Sequence, residues 1–81
     1  MPQAIYKNKK YNIQLQHDHI TLSRANLKWV LAELAPDVYS VISCPAPKFN
    51  PQRNLAIDTL VILAKDTTNP NIYRLLPLVP V

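Results

Sequence analysis

An α+β domain, with one helix packed on a small antiparallel sheet in the order ββαβββ, is the fold class this sequence predicts. Three observations point to it. Tyr11, Ile13 and Leu15 alternate with polar residues, the period of a half-buried strand. Leu27, Val30, Leu31 and Leu34 fall at i, i+3, i+4 and i+7, the core stripe of an amphipathic helix. Two later apolar runs, rich in β-branched residues, are separated by proline and turn clusters, as strands of a sheet are.

The elements follow in order. Ala4-Ile5-Tyr6 is a short strand that pairs with Tyr11–Leu15. The turn between them is Lys7-Asn8-Lys9-Lys10, with Asn8 suited to a left-handed conformation. His17-Asp18-His19 breaks the alternation. Thr21 or Ser23 then caps the predicted helix, and Pro36 ends it, because the residue before proline is pushed out of helical geometry. Leu22, Ala25, Trp29 and Ala32 form a second apolar stripe on this helix, opposite the first. A helix apolar on two faces is sandwiched, either under the C-terminal segment or between two chains.

Val38–Cys44 reads as a strand and Cys44–Asn54 as a stiff, proline-rich loop. Leu55–Lys65 carries both helical spacing and β-branched content; a buried strand is the expectation. Asp66–Asn71 is a turn cluster, and Ile72–Leu76 pairs back as a hairpin strand. Pro77 and Pro80 confine the apolar tail 78–81 to an edge or an extended arm. The 81 residues are expected to form a single domain, 1–81.

Composition excludes several function classes. The chain has no glycine, which removes the glycine-built phosphate loops and the EF-hand loop. Its one cysteine, Cys44, excludes an internal disulfide framework and fits a reducing compartment. The longest apolar run, Leu60–Ala64, is too short for a membrane helix, and Met1–Lys7 lacks the pattern of a secretory signal. A cytoplasmic protein without a membrane partner is the expectation.

Four residue sets remain as candidates for chemistry. His17 and His19 project from one side of an extended segment and are weak metal candidates, but zinc needs further ligands that the sequence does not supply nearby. Cys44 lacks a local base to activate it, although the histidines end one strand and Cys44 another. Lys7, Lys9 and Lys10, flanked by Tyr6 and Tyr11, combine phosphate-neutralising and base-stacking residue types. The other cations alternate along the chain with acids. Asp58 falls within the most apolar segment, where a carboxylate needs a partner such as Arg53 or Arg74.

No set assembles a catalytic site or a cofactor site, and no cofactor is expected. The reading that accounts for most residues is a small non-enzymatic regulatory or accessory protein acting as a homodimer or higher homo-oligomer. It would also contact another protein, through Leu22, Ala25, Trp29, Ala32, Phe49, Leu78 and Val79. The alternative is a nucleic-acid-binding regulator using Tyr6, Lys7, Lys9, Lys10 and Tyr11. A third is a small nuclease or hydrolase using His17 and His19.

Overall fold

A computed structural model describes residues 2–46, 48 and 55–78. These form seven β-strands: β1 (Gln3–Tyr6), β2 (Lys9–Leu15), β3 (His19–Arg24), β4 (Leu27–Ala35), β5 (Val38–Ser43), β6 (Leu60–Lys65) and β7 (Ile72–Pro77). Each strand pairs antiparallel with the next. β1 pairs parallel with β7, through Gln3↔Ile72, Ala4↔Tyr73 and Ile5↔Arg74, and so closes a barrel. The parallel closure follows from parity: with an odd number of up-and-down strands, the last runs in the direction of the first.

The α+β expectation is overturned. No helix forms among the described residues, and the segment read as a helix is the hairpin β3–β4. The cause lies in the periodicity. At ~100° per residue, a stride of two advances ~200° on a helical wheel, so one strand face falls on two opposite sides of that wheel. Ile20, Leu27 and Leu31 fall on one side, Leu22 and Trp29 on the other. The inward members of the two stripes, Leu22, Leu27, Trp29 and Leu31, are the single inward face of two strands, while Val30, Ala32 and Leu34 lie on the outer face of β4 and Ala25 is in the turn. Ile20, Leu22, Trp29 and Leu31 are all buried, and Leu27 packs against them.

The turn that splits this segment has no glycine or proline to mark it. Ala25 takes φ 54° between β3 and β4, a position where glycine is the usual occupant. The turns at Asn8 and Asn69 follow the expected chemistry, whereas Pro36, expected to end a helix, is in a turn between two strands. Lys7 and Asn8 take φ 48° and 67° between β1 and β2. Pro36 precedes Asp37 at φ 64° between β4 and β5. Asn69 accepts the N–H of Asn71 at 3.0 Å before β7.

The interior is filled by Tyr6, Tyr11, Ile13, Tyr39, Val41, Val61 and Leu75 together with the β3–β4 residues. The Tyr11 and Trp29 rings meet edge to face, with centroids 5.2 Å apart and planes at 90°. Leu55 joins this core from the loop before β6, at φ 53°. That backbone costs about 1–2 kcal/mol, which the burial of a leucine side chain, about 1.5–3 kcal/mol, offsets. The strand within Leu55–Lys65 occupies only Leu60–Lys65. Asp58 stands outside it, exposed in a turn at φ 69°, with its N–H bonded to the Val41 carbonyl at 2.9 Å.

Candidate interaction surfaces

Closure gives every strand one inward and one outward face. On β5 the inward residues are Tyr39 and Val41, leaving Val38, Ser40 and Ile42 outward. On β6 Val61 is inward, and Leu60, Ile62 and Ala64 are outward. Register sets Val38 beside Ile62 and Ile62 beside Leu76, and it sets Ser40 beside Leu60. The Leu78 N–H extends this ladder by donating to the Leu60 carbonyl at 3.0 Å. The outer flank of β5–β7 is therefore an apolar sheet surface, on which Ile42 is 57% exposed, Leu76 48% and Leu78 40%.

The outer face of β2 and β3 is the reverse. It carries Lys10, Asn12 and Gln14 on β2, with His19, Thr21 and Ser23 on β3. The barrel thus has one polar flank and one apolar flank.

Topology also sorts the charges that alternate in the sequence. The β1–β2 and β3–β4 turns lie at one end of the barrel, and the β2–β3, β4–β5 and β6–β7 turns lie at the other. Lys7, Lys9, Lys10, Arg24 and Lys28 gather at the first end. Asp18, Glu33, Asp37 and Asp66 belong to the second, and Asp58 lies beside Val41 between them.

The acidic groups are mostly committed to structure. His19 Nδ1 donates to Asp18 Oδ1 at 2.7 Å, which holds the Asp18 carboxyl below the ordinary carboxylate range. Asp66 is held low chiefly by the Thr68 N–H at 3.2 Å, with the Thr68 hydroxyl at 3.1 Å adding to it. The Arg74 guanidinium, at 3.9 Å, contributes less. Tyr39 donates to Glu33 at 3.2 Å; burial first, and then this bond, push its hydroxyl pKa up.

The remaining candidates are dispersed. His17 and His19 sit at the acidic end, and no group of three or more His, Cys, Asp or Glu able to hold a metal occurs among the described residues. Cys44 follows β5 at the opposite end, half-buried against the core. The row of His19, Ala32 and Ser40 lies four residues of strand from it, about 13 Å at ~3.3 Å per residue, so the histidines and the thiol do not meet. Asp58 is not in the apolar strand, and Arg74 pairs with Asp66 instead; Arg53 lies outside the described residues.

Of the residues expected to contact a partner, Leu22 and Trp29 are core, Ala25 is an exposed turn residue and Ala32 is half-buried on the outside of β4. Leu78 lies on the apolar flank, while Phe49 and Val79 lie outside the described residues. Tyr6 and Tyr11 are buried and unavailable for stacking on a base. The flank residues Ile42, Ile62 and Leu76 were missed. The signal was adjacent apolar residues within one strand, Val41-Ile42, the run Leu60-Val61-Ile62-Leu63-Ala64 and Leu75-Leu76, which put apolar side chains on both faces.

No helix of the described residues is long and apolar enough to cross a membrane. Comparison with known protein families, curated proteins and solved structures finds no match to this chain.

Proposed function

We propose that this chain is a non-enzymatic regulatory or accessory protein that works by self-association through the outer flank of β5–β7. The observation that carries the reading is β6, a strand apolar on both faces in a barrel that has only one interior. Strands with continuous apolar runs are normally covered on both sides. The described closed ladder offers no free edge strand to a partner, so association is face to face.

A second copy fits this flank best. The outward positions of β5 and β6 hold no charged residue before Lys65, and the one outward cation of β7, Arg74, lies 3.9 Å from Asp66, so the surface can match itself across a twofold axis with little net charge opposed. Antiparallel packing also sets the basic end of one barrel beside the acidic end of its partner. The flank spans about three strand spacings of ~4.8 Å by six residues of ~3.4 Å. That is smaller than the roughly 800 Å² per partner of a standard interface, which places the dimer among weak, transient contacts. The half-buried free thiol Cys44 supports a cytoplasmic setting, where thiols stay reduced.

The test is light scattering after size-exclusion chromatography over a concentration series. The wild type shifts from one chain to two as concentration rises. Ile42→Asp with Leu76→Asp, both at exposed positions, gives one chain throughout while keeping the strand signature in circular dichroism. A wild type that remains one chain at every concentration refutes the proposal.

A further inference from the structure

We infer that the basic end of the barrel binds the phosphate backbone of duplex nucleic acid, independently of the apolar flank. In sequence the cations are interrupted by acids; in the fold, five of the chain's nine Lys and Arg meet at one end. Lys9 opposes Tyr6 and Lys10 opposes Ile5 in the β1–β2 ladder. Lys28 opposes Ser23, and Arg24 opposes Leu27, in the β3–β4 ladder. Asn12 opposes Ser23 in the ladder between them.

Lys10 and Lys28 thus stand on the polar outer flank with Asn12 and Ser23 between them, a row of hydrogen-bond donors spanning β2, β3 and β4. Lys7 crowns the adjoining turn, its ammonium 5.4 Å from the centroid of the Tyr6 ring, which anchors the turn cation against the barrel. No acidic residue belongs to either basic turn, and four of the five acids lie at the far end. Among the described residues, the acid nearest the basic end is Asp58, held beside Val41 on the β5–β6 loop.

The class of nucleic acid follows from what this end lacks and what it holds. Binding to single strands draws on aromatic platforms for the bases, and among the described residues of this end the aromatic side chains, Tyr6, Tyr11 and Trp29, are all buried. What remains is charge and polar donors, which respond to phosphate density. Duplex DNA carries one charge per ~1.7 Å of axis, against one per ~3.4 Å along a strand. Duplex is therefore preferred over single strand, without base-sequence preference.

The experiment is fluorescence anisotropy with a labelled mixed-sequence DNA duplex and its separate strands, over a salt series, using full-length protein below its self-association range. For four to five neutralised phosphates, the slope of log K against log salt is about −4 for the duplex. Lys7→Gln, Lys10→Gln and Lys28→Gln together bring that slope to about −1 and reduce low-salt affinity more than a hundredfold. Lys65→Gln, an exposed cation at the other end, changes the slope by less than about 1. The idea fails if the wild type does not bind duplex at low salt, if the triple variant keeps the wild-type slope, or if the single strands bind more tightly than the duplex. An uncharged flank variant, Ile42→Ser/Leu76→Ser, separates the two proposals, since it weakens the apolar flank without placing a carboxylate near Lys28 or Lys7. It binds duplex with the wild-type slope even where self-association is abolished or was never present.

Discussion

The Tyr11–Trp29 contact gives the sharpest test of the barrel interior. The two rings meet edge to face at 5.2 Å, and both are almost fully buried. A chain of 81 residues has a total stability of about 4–12 kcal/mol, and truncating a buried tryptophan to alanine removes about 3–5 kcal/mol. Alanine variants could therefore unfold the protein outright. Leucine keeps an apolar filling, and we expect Tyr11→Leu and Trp29→Leu each to cost about 2–3 kcal/mol. Aromatic pairs in this geometry contribute about 0.5–1.5 kcal/mol beyond their burial, so the double variant should be more stable than the sum of the single losses by that amount. The assay is urea unfolding at low protein concentration, where self-association does not enter the apparent stability, with equal m values required across the four proteins. A coupling within about 0.3 kcal/mol of zero refutes the shared interior. So does a Trp29 emission spectrum that moves on dilution, since that would return Trp29 to an intermolecular surface.

Two further outcomes follow. Ala25→Gly removes a left-handed backbone cost of about 1–2 kcal/mol and adds about 0.4–1 kcal/mol of unfolded-state entropy. The net is a stabilisation of about 0.5–1 kcal/mol and a Tm higher by about 2–8 °C; calorimetry showing a lower Tm contradicts the turn. The depressed pKa of Asp66 contributes stability that is fully present above its unfolded value near 3.8 and is lost as pH falls through the lower folded value. Carbon-13 titration should find its midpoint below that of an unfolded reference peptide, and Asp66→Asn should flatten part of the acid limb of the stability curve.

Several elements were legible in the sequence because their signals are local. The β1–β2 hairpin with its lysine-rich tip, the strand from Val38 and the Ile72 hairpin all carry alternation bounded by turn residues. The β3–β4 hairpin was not, because Ala25 and Asn26 make its turn without glycine or proline. Its inward face then reads as two stripes on a helical wheel. The apolar flank was half legible. Leu60–Ala64 stood out as the most apolar run, but a run apolar on both faces signals an uncovered surface only once the sheet is known to close. The charge sorting was invisible for a different reason. It depends on which turns share an end of the barrel, and that is set by strand pairing between segments far apart in the chain.

The central claim is that the outer flank of β5–β7 is a contact surface between copies of this chain. A dilution series followed by amide nitrogen–proton correlation spectra tests it most directly. The account predicts concentration-dependent shifts concentrated in Val38–Ser43, Leu60–Lys65 and Ile72–Leu78, with the amides of β2 and β3 unmoved. Spectra that do not change with concentration, or changes centred on Leu22 and Trp29, would contradict it.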